Sequence, residues 1–344
     1  MPELKTYTVA QIREWLVNNK PTEGLSEQVI APTRAWAIIH NPYVMDDDAI
    51  VAAIFEDGQL AAYTASFPDM LDSKRIWWCS TLYCYPQFAG RGYGMIVVGI
   101  LIEAHEPELT YDRWGVSETV EIFNSLGAKT TYTPRYHLSF KKIDASSLKG
   151  KLAYCAQELM KCLIQRSKPS TADYTLRYAS YIDGEAYAFM QSHRGSDLWL
   201  REQEMLNWIL RYPFRQGCTL PSRVEKDLNF TSYTSVISYQ VVKVYEGEEL
   251  IGFYILRHYE DSLSVLYLYY KDEQKYVVFT SIIDHIIALK PYEFVTENNT
   301  LRAYVYKHIY YPKMWEEKAS LSLPTDFTLP TQFSLQLGDG DSFV

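Results

Sequence analysis

The chain has 344 residues, enough for one large domain or two domains of ordinary size. Hydrophobic residues make up 47% and charged residues 22%, which excludes a disordered or fibrous chain. A net charge of −9 argues against nucleic acid as a bulk partner. No aliphatic stretch approaches the roughly 20 residues that cross a bilayer, and the N-terminal residues do not resemble a signal peptide. We therefore expect a soluble, cytoplasmic protein without a membrane partner.

The five cysteines predict neither disulfide bonds nor a metal site. An odd number without an export signal is typical of reduced thiols in the cytosol. Cys79 and Cys84 lie on one predicted strand, and their odd separation places their side chains on opposite faces of a regular strand. Two thiols that point apart cannot share a metal ion, so we expect no metal.

The first half of the chain predicts a meander of strands followed by a buried helix. A hairpin spans 50–66 around an Asp-Gly turn, and an aromatic strand follows at 75–85. A glycine-rich turn then leads to a helix over 92–105 that is apolar nearly all round. The remaining elements are a strand over 109–116, a short helix over 118–126 and a β-hairpin over 129–142.

The same order of elements recurs roughly 185 residues later. The second half predicts a hairpin around Glu246-Gly247, a strand over 263–270, a buried helix over 276–289 and a short helix over 301–308. A period this long indicates two similar domains rather than a solenoid. We expect domains at 1–145 and 170–344, joined by a linker helix at 146–169. Two final strands are predicted at 327–329 and 333–337.

The turn between the aromatic strand and the buried helix has the composition of an anion site. It reads Pro86-Gln-Phe-Ala-Gly90-Arg91-Gly92-Tyr93-Gly94. Glycines let successive backbone N–H groups converge on one point, and a helix N-terminus adds partial positive charge. A pyrophosphate is the natural ligand, and a turn used only for packing is the alternative. The pattern is neither a Walker A loop nor a dinucleotide-binding fingerprint.

These elements resemble the GCN5-related N-acetyltransferases, the GNAT superfamily. The resemblance rests on the strand, proline, glycine turn and buried helix, and on the following strand, short helix and Leu126-Gly127. The family motif Arg/Gln-x-x-Gly-x-Gly/Ala falls on Ala89, Gly92 and Gly94 when the family's proline is placed on Pro86. An alternative register uses Gln87, Gly90 and Gly92. The implied fold class is α+β in three layers, with two GNAT-like domains, each a mixed, mostly antiparallel sheet flanked by helices.

The resemblance implies that the first domain binds acetyl-CoA. Backbone groups near Leu82 and Cys84 would bind the pantetheine and polarise the thioester carbonyl, and Arg91 would lie beside the phosphates. In place of the glycine turn the second half has Lys271-Asp-Glu-Gln274, so we expect one coenzyme A per chain. The implied coenzyme A contacts are Leu82, Tyr83, Cys84, Ala89, Gly90, Arg91, Gly92, Tyr93, Gly94 and Asn124.

The catalytic residues stay open at the level of sequence. Phe123 stands where many family members carry the Tyr that protonates the leaving thiolate, and Tyr83 and Tyr132 are among the possible substitutes. The acids nearest the expected acceptor cleft are Asp69, Asp72 and Asp112, and the run of aspartates at 46–48 either attracts a cationic amine or is a solvated loop. In several tandem GNAT-like proteins the chain end returns to the cleft. The candidates for a general base there are Asp339, Asp341 and the terminal carboxylate of Val344.

Three functions are compatible with the sequence. The first is an acetyl-CoA-dependent N-acetyltransferase that acts on a primary amine of a small molecule or peptide. The second is a coenzyme A-binding sensor or scaffold without catalysis, which the absence of the usual Tyr and the degenerate second domain favour. The third is a transferase of a longer acyl or an aminoacyl group.

Overall fold

The computed structural model of the chain describes residues 1–71, 73–113, 115–140, 143, 146–164, 173–212 and 237–340. Each half contains the same succession of strands and helices. The first half comprises β1 (Glu3–Thr8), α1 (Val9–Asn18), α2 (Pro32–Ile38), β2 (Ala49–Glu56), β3 (Gln59–Leu71), β4 (Lys74–Cys84), α3 (Tyr93–His105), β5 (Leu109–Arg113), α4 (Ser117–Ser125) and β6 (Lys129–Ser139).

A helix that belongs to neither repeat, α5 (Leu148–Cys162), separates the two halves. The second half comprises β7 (Thr175–Ala179), α6 (Gly184–Ser192), α7 (Gln203–Arg211), β8 (Ile237–Glu246), β9 (Glu249–Tyr259), β10 (Ser262–Tyr270), α8 (Lys275–Leu289), β11 (Glu293–Thr296), α9 (Asn299–His308) and β12 (Lys313–Leu323). Among the described residues, no helix has the length and hydropathy needed to cross a membrane.

The strands form one 12-stranded sheet in the order β1-β2-β3-β4-β5-β12-β6-β11-β10-β9-β8-β7. Within the described strands, β4 and β5 are parallel, as are β10 and β11, and the remaining pairs are antiparallel. The order from one edge mirrors the order from the other, so each strand of the first half has a counterpart in the second. The internal repeat predicted from the sequence is confirmed as a repeat of strand order.

The two central strands are exchanged between the halves. β6 pairs with β12 along its whole length, from Lys129 opposite Leu323 to Ser139 opposite Lys313. On its other edge β6 pairs with β11, whereas β12 pairs with β5. The predicted hairpin at 129–142 is wrong, because this segment forms a single strand whose partners lie in the other half.

The helices cover the two faces of the sheet differently. On one face α3 packs on β2, β3 and β4 of the first half, and α8 packs on β9 and β10 of the second, each over its own apolar core. On the other face a single core joins the halves and includes tryptophans from both, among them Trp78 and Trp208. The halves are therefore fused through one shared core as well as one sheet.

Two buried arginine–carboxylate pairs also link the halves. Arg113, at the end of β5, donates from Nη2 to both carboxylate oxygens of Glu297, at 2.8 and 2.6 Å. Arg201 donates from Nε to Asp69 Oδ2 at 2.8 Å. Burial opposes the charge on Arg201, but Asp69 beside it raises the pKa of the guanidinium above its usual value. Each pair joins a residue of one half to a residue of the other.

The segment after β12 differs from its prediction. The predicted strands at 327–329 and 333–337 are wrong, since residues 324–340 follow an irregular path with one isolated bridge, between Ser334 and Asp197. Arg201 donates to the carbonyls of Gly338 and Gly340 at 2.8 and 2.6 Å. Hydrogen bonds to side chains and to the loop after α6 therefore replace a regular ladder here. The linker at 167–172 and Cys218 lie outside the described residues.

We expect Arg201→Met to lower the free energy of unfolding by about 3–5 kcal/mol, because it leaves Asp69 buried without its cation. The matched control is Arg13→Met, which removes the more exposed ion pair with Asp46 and should cost about 0–1 kcal/mol. Chemical denaturation measures both values. The double variant Asp69→Asn/Arg201→Met should recover part of the loss, and equal losses for the two arginine variants would contradict the assignment.

Candidate functional site

A β-bulge interrupts the pairing of β4 with β3. Thr81 lies opposite Ala65, but Cys79 lies opposite the next residue, Ser66, so Ser80 is the extra residue. An extra residue reverses the alternation of side chains beyond it. Cys79 packs on Val98 of α3, and Cys84 packs in the neighbouring cluster under the same helix. The prediction that the two thiols lie on opposite faces is therefore wrong. Within the described ranges, no group of His, Cys, Asp and Glu could hold a metal ion.

Directly after the bulge the sheet opens. β4 and β5 run in parallel register from Ile76–Leu109 to Cys79–Asp112 and then separate. A cavity of about 210 Å³ lies between them, lined by Cys79, Ser80, Thr81, Leu82, Asp112, Arg113, Gly115, Val116 and Thr119. Beyond Cys79, β4 has ladder partners only on its β3 side among the described strands. Its other edge is therefore available to a ligand that enters the cleft.

The glycine turn stands at the end of β4. Gly90 and Gly92 have φ angles of +79° and +76°, and a Cβ atom built on either would meet nothing within 4 Å. The first helical bond of α3 runs from the Ile96 N–H to the Gly92 carbonyl, at 3.1 Å, and no side chain caps this helix end. The N–H groups of the first turn, at the positive end of the helix dipole, therefore have no side-chain cap.

The side chains of the turn are fixed on one flank. Arg91 forms an ion pair with Glu56 of β2, and the Tyr93 hydroxyl donates to the same carboxylate at 3.0 Å. The Arg91 guanidinium also lies 5.3 Å from the centre of the Phe88 ring, while 47% of its side chain stays exposed. It is thus a cation held at the rim of the turn. Gly94 differs from Gly90 and Gly92, because a Cβ atom added at Gly94 would lie 3.1 Å from the Ile122 side chain of α4.

Phe123 and Asn124, two residues singled out in the sequence, lie on α4. Phe123 is buried against Cys79 and Val98, so this position contributes packing and no hydroxyl group. Asn124 accepts a hydrogen bond at Oδ1 from Thr130, at 2.8 Å. Tyr83 is 44% exposed and Tyr132 is 55% exposed. Tyr83 lies on β4 at the open part of the sheet, whereas Tyr132 lies on β6 opposite Ser320 of β12.

The acids singled out in the sequence have different surroundings. Asp112 is buried and lines the cavity. Asp69 is buried in the pair with Arg201 and accepts a hydrogen bond from Trp78 Nε1 at 3.0 Å. In the run 46–48, Asp46 pairs with Arg13 and Asp48 pairs with Arg75, so both make structural contacts. Asp72 lies outside the described residues.

Arg34 of α2 is a residue at the cleft that sequence reasoning missed. Its Nη1 donates to the Ser80 carbonyl at 2.5 Å and also contacts the Ser80 hydroxyl. Ser80 is both the bulged residue and part of the cavity wall. A cation therefore stands beside the point where β4 departs from the regular ladder. Nothing in the sequence signalled this, because Arg34 and Ser80 are 46 positions apart and belong to different elements.

The second half has the same cleft without the same turn. β10 carries a bulge at Leu266 against β9, and β10 separates from β11 after Ser264 opposite Val295. A cavity of about 480 Å³ lies there. The turn at Asp272–Gln274 contains no glycine, and the Gln274 N–H donates to the Lys271 carbonyl at 3.0 Å. The start of α8 also has no side-chain cap, so the two helix starts differ in the glycines at positive φ that precede α3.

The C-terminal segment occupies part of this second cleft. The Gly338 N–H donates to the carbonyl of the bulged residue Leu266 at 2.9 Å. Asp197 accepts hydrogen bonds from the Ser334 hydroxyl at 2.8 Å and from Gln336 Nε2 at 3.0 Å. Burial raises the pKa of Asp197 to about 6. Asp197 therefore attaches the segment to the loop after α6.

The candidate base Asp339 lies in the same segment. It is 1% exposed, its Oδ2 accepts from the Gln336 N–H at 2.8 Å, and the same oxygen lies 3.9 Å from Arg113 Nη1. Burial raises the pKa of Asp339 above its usual value. The other two candidates, Asp341 and Val344, lie outside the described residues. Gly340 packs on the Arg113 side chain, and Arg113 also lines the first cavity.

Comparison with solved structures agrees with this architecture. A putative acetyltransferase from Pyrococcus horikoshii superposes with a TM-score of 0.51 at 11% identity, over 98% of this chain and 92% of that one. The chain shares the fold of that putative acetyltransferase. A tandem GNAT protein from the clavulanic acid biosynthesis pathway matches with a TM-score of 0.49 at 10% identity, over 95% of this chain and 100% of that one. A GCN5-related N-acetyltransferase from Kribbella flavida matches at 0.48 and 14% identity, over 94% and 71%.

At the level of sequence there is no comparable match. No protein-family model matches this chain, and no curated protein sequence matches it. The 11% identity with the Pyrococcus horikoshii protein establishes a shared fold alone.

The buried Asp197 predicts a pH-dependent stability. Its pKa is raised from 3.8 to about 6, so the folded state binds this proton more tightly than the unfolded state does. The stabilising contribution of the Asp197 proton is therefore fully present below about pH 4 and is lost as the pH rises through 6. We expect the free energy of unfolding of the natural protein to fall relative to Asp197→Asn, by on the order of 3 kcal/mol between pH 4 and 7.

Denaturant titrations of the two proteins at several pH values test this expectation. The control is Asp57→Asn, which makes the same substitution at the exposed turn between β2 and β3. A pH-independent difference for Asp197→Asn would show that its carboxyl is not desolvated.

Proposed function

We propose that this chain is a coenzyme A-dependent acyltransferase that moves an acetyl group from acetyl-CoA to a primary amine of a small molecule or peptide. The observation that carries the proposal is the uncapped start of α3 behind Gly90 and Gly92, at the end of the bulged strand that forms one wall of the cavity. Converging N–H groups and a helix N-terminus suit a pyrophosphate, and an open strand edge suits the amide-rich pantetheine arm.

Each part of the cleft has a role in the proposed reaction. The pyrophosphate binds the N–H groups of the turn at 89–94, and Arg91 adds a positive charge at its rim. The pantetheine amides pair with the free edge of β4 over Leu82, Tyr83 and Cys84. Backbone N–H groups near the bulge polarise the thioester carbonyl, as an oxyanion hole does. Asn124 is the predicted contact from α4.

The transfer step uses groups in the chain and in the substrates. The amine nitrogen attacks the thioester carbonyl carbon, a C–N bond forms, and the C–S bond breaks to release the thiolate. Phe123 supplies no proton to that thiolate, and general acid catalysis is worth about 10²- to 10⁴-fold where it operates. The Arg34 guanidinium at Ser80 is a cation beside the proposed thioester site and offsets negative charge that develops there. The amine must lose a proton to a base. The candidates for that base are Asp339, Asp341 and the terminal carboxylate of Val344.

The second candidate function is a coenzyme A sensor that performs no transfer. The buried Phe123 favours it, because the usual acid position is committed to packing against α3. The two proposals share the binding site and differ in turnover. Calorimetry with coenzyme A and acetyl-CoA measures binding, and thiol release with a panel of primary amines measures transfer. Binding without thiol release on any amine supports the sensor. Faster thiol release from a long-chain acyl-CoA than from acetyl-CoA would show that the transferred group is a longer acyl group.

We expect Gly92→Asp to abolish coenzyme A binding, because the new carboxylate occupies the phosphate position and repels the pyrophosphate. Gly247→Asp is the matched control, since Gly247 is also at positive φ with open space around its Cβ position, in the turn between β8 and β9. Titration calorimetry should give one coenzyme A per chain for the natural protein and for Gly247→Asp. Undiminished affinity in Gly92→Asp, or two sites per chain, would contradict the assignment.

The chain end provides a separate prediction. If the terminal carboxylate acts as general base, deletion of residues 342–344 should abolish turnover and leave coenzyme A affinity and the melting temperature unchanged. Asp339→Asn tests the neighbouring candidate, and the burial of Asp339 predicts that this variant changes the melting temperature as well. Full turnover in the deletion variant eliminates the terminal carboxylate as the base.

A further inference from the structure

Helix α5 is oriented with its apolar residues outward. Gln157, a polar residue, is 4% exposed and faces the body of the protein. Leu148, Leu152 and Leu159 are 77%, 66% and 69% exposed. A helix on a protein surface normally buries its apolar stripe and exposes its polar face. The reversed arrangement leaves an apolar face of α5 exposed, which is the kind of surface that protein partners cover.

Five of the exposed residues of α5 follow the spacing of a helix–helix seam. Leu148, Leu152, Cys155, Leu159 and Cys162 are separated alternately by four and three positions, and all five are exposed. This spacing defines the a and d positions of a heptad repeat, whose side chains interlock with those of another helix. We call these five residues the α5 seam. Gln157 falls at position f, opposite the seam, as its contact with the body requires.

The charges beside the seam select the occupant and its direction. Lys151 and Glu158 are both at position g, seven residues apart. Glu158 pairs with Lys161 of its own helix at 3.0 Å, but 42% of its side chain stays exposed, so a lysine of a second copy can reach the same carboxylate. In an antiparallel pair of identical helices, g positions lie beside g positions, so Lys151 would meet the partner's Glu158, and the reverse pair would form by symmetry. In a parallel pair, g lies beside e. Lys151 and Glu158 would then meet only Ala156 and Leu163 of the partner subunit.

We propose that the α5 seam is a homodimer interface in which two copies of the chain pair their α5 helices antiparallel about a two-fold axis. The arrangement is isologous, so each copy supplies the same five seam residues and the same two charges. The helix spans about 22 Å, at 1.5 Å per residue. A seam of this length falls short of a standard-size interface, so the dimer forms in a concentration-dependent way. Neither copy needs coenzyme A for this contact.

Sedimentation velocity of the full chain over the micromolar range tests the proposal. We expect the mass to rise from that of the 39.9 kDa chain towards twice that value as the concentration increases. Leu152→Glu/Leu159→Glu should remain monomeric at every concentration. The matched control is Ala153→Glu/Met160→Glu, which adds the same charges to the same helix at exposed positions outside the seam. Far-UV circular dichroism and the melting temperature confirm that each variant is folded.

Charge exchange tests the antiparallel direction. Lys151→Glu should weaken the dimer, because it places two carboxylates beside each other in each pair, and Lys151→Glu/Glu158→Lys should restore it. A parallel pair would instead bring the Cys155 thiols of the two copies together, so a Cys155 disulfide under mild oxidation overturns the antiparallel model. A natural protein that stays monomeric, or a dimer that survives Leu152→Glu/Leu159→Glu, overturns the interface itself.

Discussion

The pairing of β6 with β12 is the constraint on which the rest of the structure depends. These strands lie at the centre of the sheet, and each completes the half to which it does not belong in sequence. Neither half can close its sheet alone, because β5 requires β12 and β11 requires β6. The buried pairs Arg113–Glu297 and Arg201–Asp69 act across the same boundary. Charges buried this deeply persist only with their partners in place, so they also fix how the halves meet.

The two halves share this sheet but differ in the turn after the bulged strand and in what occupies the cleft beside it. Both halves have a bulged strand and a parallel partner that separates from it. In the first half the following turn contains Gly90 and Gly92 and leaves the helix start open. In the second half the turn has no glycine, and the C-terminal segment bonds to the bulged residue Leu266. The second copy of the fold therefore binds part of its own chain, and the first does not do so within the described residues.

Much of the first cleft could be predicted from sequence, because its signals are local. The proline, the glycines and the apolar helix lie within a few residues of one another, and their backbone requirements determine a turn and an uncapped helix. The bulge at Ser80 could not be predicted, and it reversed the expected placement of Cys79 and Cys84 relative to each other. A bulge depends on how β3 and β4 come into register, which no residue of β4 specifies alone. Arg34 reaches the bulge from a distant helix for the same reason.

The sequence by itself determined the order of elements, their repetition in the second half and the position of the glycine turn. These follow from periodicity, turn residues and composition, which act over short stretches of chain. Only the tertiary structure decided that β6 and β12 exchange halves, that residues 324–340 run as an irregular segment, and that α5 turns its leucines outward. Strand partners, buried ion pairs and exposed faces depend on residues far apart in the chain. Their free energies exist only once both halves are folded against each other.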